Sequence, residues 1–98
     1  MAYPMISPLI TCTGSGTAAA ATSTVILAAN LDRKFASFIN DSNEVCYLGL
    51  GAAAVLNKGI RLNAAGGSFE INSTNVFQGI VYAISTSGSK NIVVMEGV

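Results

Sequence analysis

The amino-acid sequence predicts an all-β protein, a compact antiparallel β-sandwich of about seven short strands that follows an extended N-terminal arm. Runs of β-branched and aromatic residues recur about every ten residues, and turn-forming residues separate them. No long segment has the periodicity of an amphipathic helix. At 98 residues the chain is long enough for one domain only.

The first 21 residues are interpreted as the arm, and residues 22–98 as the sandwich domain. Two prolines and two glycines interrupt regular structure in the arm, and four consecutive alanines end it. In an extended conformation about twenty residues span about 65 Å, which is enough to reach a neighbouring subunit. A frayed terminus without fixed structure is the alternative interpretation.

Seven predicted strands follow the arm. The first is β-branched, and every connection between strands contains Asn, Asp, Ser or Gly, residues that form turns or tolerate positive φ. The predicted strands are residues 23–29, 35–40, 45–50, 60–63, 68–71, 79–85 and 91–96.

Three of these strands indicate which faces are covered. The strands at 45–50 and 79–85 are apolar or uncharged on both alternating faces, which predicts central strands or interface strands. The strand at 60–63 alternates instead: Ile60 and Leu62 are expected to point inward, and Arg61 and Asn63 outward. One face of that strand is therefore expected to be in contact with water.

Charged side chains are scarce. Five basic and five acidic residues make up 10% of the chain, whereas soluble domains contain about 25%. A largely uncharged surface predicts a subunit of an assembly, with a Ser/Thr/Asn/Gly-covered monomer as the alternative. The sequence has no cluster of Lys and Arg of the kind that would predict a nucleic-acid partner. The only charge cluster, Asp32-Arg33-Lys34, is interpreted as a solvated turn.

The sequence predicts no enzyme, cofactor or metal site. It contains no histidine, and its two cysteines have no CxxC spacing, so both are expected to be reduced. Residues 14–19 fit a G-x-G-x-x-A dinucleotide fingerprint, but a β-branched segment follows where that site requires a helix. A secretory signal is not expected, because the N-terminus lacks basic residues ahead of an apolar run and contains Pro4 and Pro8. A membrane span is not expected, because the longest apolar stretch is short and interrupted.

Five segments together resemble small virion proteins of tailed bacteriophages of the capsid cement or decoration type. The resemblance extends roughly from Asn30 to Glu96 and includes an "INDS" turn, then "YLGLG", "GIRL", a Gly-Gly-Ser-aromatic-Glu segment and a "G-x-VYAI" strand. The segments that carry it are residues 35–42, 45–51, 59–62, 66–70 and 79–84.

The resemblance implies a β-sandwich that is made in the host cytoplasm, binds the major capsid protein on the outside of the capsid, and stabilises the shell. Decoration proteins of this type are often trimers, so a homotrimer is expected. A neck or tail component, or a fibre-like receptor-binding module, is the alternative.

Two groups of contact residues are proposed on this basis. One group lies in the arm and is expected to contact the capsid or a neighbouring subunit: Tyr3, Pro4, Met5, Ile6, Pro8, Leu9 and Ile10. The other is expected to mediate self-association: Tyr47, Leu50 and Val55. Ordinary core packing is the alternative role for Tyr47 and Leu50.

Overall fold

A computed structural model describes residues 8–98 as two packed four-stranded antiparallel sheets. The all-β sandwich prediction is confirmed. Sheet I has the strand order β1-β8-β3-β6, and sheet II has the order β2-β7-β4-β5. The strands are β1 (Cys12–Ala19), β2 (Thr24–Leu27), β3 (Phe35–Asn40), β4 (Cys46–Leu50), β5 (Ile60–Leu62), β6 (Ser68–Ile71), β7 (Val81–Ser85) and β8 (Lys90–Gly97). Residues 8–98 contain no helix that could cross a membrane.

β1 corrects the predicted extent of the arm. Residues 12–19, which the sequence interpretation placed in the arm, form an eight-residue strand that pairs with β8 along its whole length. From Thr13 to Thr17 hydroxyl residues alternate with glycines, a period of two that suits a strand even though glycine weakens it. Pairing with β8 therefore supplies the order that the local sequence lacks.

The seven strands predicted beyond the arm are all present, with ends that differ by two residues or fewer. β3 and β6 have the bounds that the sequence predicts. β4 and β7 are the two central strands of sheet II, which confirms the interpretation of their uncharged faces. β5 has the predicted alternation, because Leu62 is buried and Arg61 is exposed.

The main core lies between the two sheets. Sheet I contributes aromatic and β-branched side chains, among them Phe38, which stacks on Phe69 with ring centroids 6.4 Å apart. Burial of such side chains contributes about 25 cal/mol per Å² of apolar area. The larger fully buried apolar residues are Phe38, Leu48, Leu62, Ile71, Val81, Ile92 and Val94.

Arg33 corrects the interpretation of the charge cluster as a solvated turn. The turn is present, since the Arg33 amide donates to the Asn30 carbonyl over 3.1 Å, but the Arg33 side chain is fully buried. Its Nε donates to Glu96 Oε2 at 2.8 Å. The remaining guanidinium nitrogens donate to three carbonyl oxygens, those of Ala28, Phe77 and Gly79. These partners offset the cost of burying the charge.

Two further buried polar side chains fix the ends of strands. Asn40 Nδ2 donates to the carbonyl oxygens of Glu44 at 2.7 Å and Leu62 at 3.0 Å. Ser85 Oγ donates to the Ala19 carbonyl at 2.9 Å, which joins the C-terminal end of β1 to sheet II. Because buried polar groups are costly without partners, these bonds specify how the two sheets are joined.

Candidate functional site

The outer face of sheet II is covered by the chain itself. Residues 51–58, here called the cover, lie over Tyr47 and Ile84, each of which is only 8% exposed. The Ala54 amide donates to Ser23 Oγ at 2.8 Å, and the Tyr47 hydroxyl donates to Asn57 Oδ1 at 3.0 Å. These contacts form a second, smaller hydrophobic cluster outside the main core.

Glycine at position 49 lets the cover approach the sheet. A Cβ atom there would lie 2.6 Å from the Ala52 carbonyl oxygen and 3.0 Å from the backbone of Ala54. Any side chain would force the cover away from β4. The close approach depends on this one residue.

The outer face of sheet I has no comparable cover within residues 8–98. We call this surface the open face; it consists of the outward-pointing residues of β1, β8, β3 and β6. Glu70 is its only charged residue. Its members are Cys12, Gly14, Gly16, Ala18, Phe35, Ser37, Ile39, Ser68, Glu70, Asn91, Val93, Met95 and Gly97.

Exposed apolar side chains lie at the centre of the open face. Ile39 pairs with Val93 across β3 and β8, and Met95 lies one step further along β8. Val93 is 38% exposed and Met95 is 40% exposed, although both lie on β8, a central strand of sheet I. Contiguous exposed apolar side chains on a soluble protein mark interaction surfaces.

β1 adds an unprotected edge to this face. Among the described strands β1 pairs only with β8, so the backbone groups on its other side have no strand partner. Eight residues at about 3.4 Å each make an edge of about 27 Å. The strand contains no charge and no proline, and its pairing with β8 has no bulge, although such features usually protect an edge from a second chain.

Three of the predicted arm contacts lie beside the open face. The Ile10 amide donates to the Val98 carbonyl at 2.6 Å, and Lys34 Nζ donates to the Pro8 carbonyl at 3.2 Å. Leu9 packs against Gly97, where an added Cβ would be 2.8 Å from Leu9 Cδ2. All three side chains remain exposed. The other four arm residues, Tyr3, Pro4, Met5 and Ile6, lie outside the described residues.

The residues predicted to mediate self-association lie elsewhere. Tyr47 is beneath the cover, Leu50 is half-buried against the main core, and Val55 is exposed on the cover. The structure therefore does not bring these residues together with Pro8, Leu9 and Ile10. Their role in self-association stays a prediction.

Sequence reasoning missed the apolar residues at the centre of the open face, although the signal was present. Residues 35–39 and 92–95 are uncharged on both alternating faces, as are the residues of β4, and Ser37 is the one polar side chain in residues 35–39 and 92–95. The same alternation rule predicts either a covered second face or an interface for β3 and β8. Ile39, Val93 and Met95 are the residues it would have selected.

Two titratable groups with shifted pKa values, Glu44 and Cys46, lie at or just before the start of β4. The backbone amide and hydroxyl of Ser87 donate to the Glu44 carboxylate at 3.0 and 2.9 Å, which lowers the pKa of Glu44. Burial raises the pKa of the Cys46 thiol. Cys12 is exposed, and neither cysteine is in a disulfide. Residues 8–98 contain no group of three or more His, Cys, Asp or Glu side chains placed to hold a metal ion.

Comparison with known proteins adds no relative to this description. The chain matches no protein-family model, no curated protein and no solved structure.

Proposed function

We propose that this protein is a structural component of a tailed-bacteriophage virion, a capsid cement or decoration protein that binds the outside of the shell. The observation that carries the proposal is the open face, a sheet surface with a single charged residue and with exposed apolar side chains at its centre. An apolar surface of this kind gains free energy when a partner covers it, at about 25 cal/mol per Å².

The size of the open face supports binding in many copies. Two strands of eight residues, one of six and one of four, spaced about 4.8 Å apart, give a flat area on the order of 400 Å². Stable interfaces bury about 800 Å² per partner, so one face gives a weak contact by itself. A homotrimer would present three such faces together, and the linked contacts would raise the overall affinity.

The proposed partner is the major capsid protein, and the proposed location is the capsid surface of the virion. Because the open face has one charged residue, binding through it depends little on long-range electrostatics. Attachment is therefore expected to survive high salt and to weaken when a charge is placed at the centre of the face.

Copy number in purified virions is the first test. A copy number comparable to that of the major capsid protein supports a decoration role. A few copies per particle would instead support the alternative, a neck or tail component or a fibre-like receptor-binding module. Quantitative mass spectrometry of purified particles measures this ratio.

Cys12 provides a direct test of the surface, because it is the exposed thiol of the open face. We expect maleimide to label Cys12 in the isolated protein and to label it much more slowly on the particle. A Thr74→Cys variant in the Cys12→Ser background is the control, because Thr74 is exposed and lies outside the open face. Equal labelling of Cys12 in both states would contradict binding through this face.

Met95→Asp tests the energetic part of the proposal. The substitution places a charge at the centre of the open face and is expected to lower particle affinity at least about tenfold. Val76→Asp is the matched control, since Val76 is similarly exposed but lies in the connection between β6 and β7. Equal effects of the two variants in a particle sedimentation assay would reject the open face as the binding surface.

A further inference from the structure

A cleft beside β5 contains two of the five basic residues of the chain. It has a volume of about 360 Å³ and is lined by Tyr47, Asn57, Lys58, Gly59 and Arg61. β4 and β5 place Arg61 directly opposite Tyr47, on the outer side of sheet II. None of the five acidic residues lines the cleft. Its volume lies at the lower end of the range for small-molecule sites, about 300–1,000 Å³.

The basic side chains of the cleft form no ion pair within residues 8–98. Arg33 forms the only ion pair within residues 8–98, and Lys90 Nζ donates to Asn43 Oδ1 at 3.1 Å. Within residues 8–98 Arg61 donates only through its Nε, to Asn63 Oδ1 at 2.9 Å. The two terminal nitrogens of Arg61 keep their fork of N–H donors, which matches the two oxygens of a carboxylate or phosphate.

The turn before β5 fixes the other side of the cleft. Asn57 and Gly59 both have left-handed backbone conformations, with φ of 64° and 81°. A Cβ at Gly59 would lie 2.6 Å from the Leu48 carbonyl oxygen, so the turn lies directly against β4. This contact holds Lys58, between those two residues, at the rim of the cleft. Its ammonium group is a second positive charge for the same ligand.

Uncharged hydrogen-bonding groups complete the lining. The Tyr47 hydroxyl donates to Asn57 Oδ1, which leaves the Tyr47 oxygen as an acceptor and the Asn57 amide nitrogen as a donor. This pair adds donors and acceptors suited to hydroxyl groups next to the two cations. The lining of the cleft therefore combines two positively charged side chains with uncharged hydrogen-bonding groups.

We propose that this cleft binds an oxyanion carried by a small hydroxyl-bearing molecule, such as a sugar carboxylate or a sugar phosphate. Arg61 and Lys58 bind the oxyanion, and Tyr47 and Asn57 bind hydroxyl groups of the same molecule. The cleft lies on the outer side of sheet II, whereas the open face belongs to sheet I, so this proposal does not depend on the proposed virion role.

The experiment is a titration of the full chain, followed by NMR of the ¹⁵N-labelled amides, with four probes: glucuronate, glucose 6-phosphate, glucose and inorganic phosphate. We expect glucuronate or glucose 6-phosphate to shift the amides of residues 57–61, with weaker binding of inorganic phosphate and no binding of glucose. Absence of shifts at these amides with both sugar anions would overturn the proposal. Stronger binding of inorganic phosphate would overturn the role of the Tyr47–Asn57 pair.

Variants assign the binding to the cleft. Arg61→Gln is expected to weaken binding of the sugar anion about tenfold or more, and Lys58→Gln is expected to weaken it less. Both residues are exposed, so both variants should fold. Lys90→Gln removes a positive charge outside the cleft and is the matched control. An equal loss of affinity in Lys90→Gln would show non-specific attraction and would overturn the site.

Discussion

The outer faces of the two sheets are both built mostly from uncharged residues, but within residues 8–98 the chain covers only the face of sheet II. On sheet II the cover reduces Tyr47 and Ile84 to 8% exposure. On sheet I the equivalent central positions, Val93 and Met95, remain about five times as exposed. The difference shows that uncharged residues on the two outer faces have different environments: on sheet II they are buried beneath the cover, and on sheet I they stay exposed within residues 8–98.

A charge placed on each face should give the largest contrast. Ile84→Asp buries a carboxylate beneath the cover and is expected to cost at least about 3 kcal/mol of unfolding free energy. Val93→Asp places the same group at an exposed position and is expected to cost about 1 kcal/mol or less. Urea unfolding of the isolated protein measures both values.

The contrast in burial between the two faces remains testable if Ile84→Asp does not fold. Ile84→Ala is then compared with Val93→Ala, and the covered position is expected to lose about 2 kcal/mol or more, while the exposed position loses less than about 1 kcal/mol. Equal losses at the two positions would mean that the cover contributes no burial of its own.

Two glycines provide the next contrast. Gly49→Ala introduces a Cβ 2.6 Å from a carbonyl oxygen of the cover and is expected to destabilise the protein by about 1–3 kcal/mol. Gly14→Ala, in β1 on the open face, introduces a Cβ with no atom closer than 3.8 Å. It is expected to be neutral or to stabilise by up to about 1 kcal/mol, because alanine has less backbone freedom to lose.

Thermal unfolding followed by circular dichroism distinguishes these two variants. Loss of stability in Gly14→Ala comparable to that in Gly49→Ala would indicate that the open face is tightly covered in the isolated protein. That result would remove the distinction between the two faces.

The hydrogen bond between Tyr47 and Asn57 should make a smaller contribution to the cover. Tyr47→Phe removes the hydroxyl that donates to Asn57 Oδ1 and is expected to cost about 1 kcal/mol. Tyr82→Phe is the matched control, because Tyr82 packs in the same cluster and makes no side-chain hydrogen bond within residues 8–98. Urea unfolding should separate the two variants, and equal stabilities would show that the Tyr47–Asn57 hydrogen bond does not stabilise the cover.

Most of the sandwich was predictable from the sequence, because β2 to β8 are marked by β-branched or aromatic residues between turn residues. β1 was not, since its glycines and small side chains have little strand propensity and it is ordered by pairing with β8. Burial of Arg33 could not be predicted either, because its carboxylate partner, Glu96, is 63 residues further along the chain. The pattern of residues within one segment does not show which distant segment or side chain it pairs with.

The two surfaces were predictable to different degrees. The open face follows from the alternation rule once β3 and β8 are known to be central strands. The cover has no periodic pattern, since residues 51–54 are glycine and alanine, and its position depends on contacts with Ser23 and Gly49. The cleft beside β5 likewise requires the turn geometry that brings Lys58 and Arg61 together.

The smallest expected effect concerns pH, because neither face relies on ion pairs. Hydrogen bonds from Ser87 lower the pKa of Glu44 below its ordinary value of 4.5, so the folded state binds the Glu44 proton less tightly than the unfolded chain. The resulting stability is fully present above the unfolded pKa and is lost as the pH falls through the folded pKa. Glu44→Gln should therefore reduce the loss of thermal stability between about pH 5 and about pH 3.

The difference in stability between Ile84→Ala and Val93→Ala should stay constant over the same range. A pH-dependent difference between those two variants would show that charge, rather than burial of apolar side chains, distinguishes the covered face from the open face.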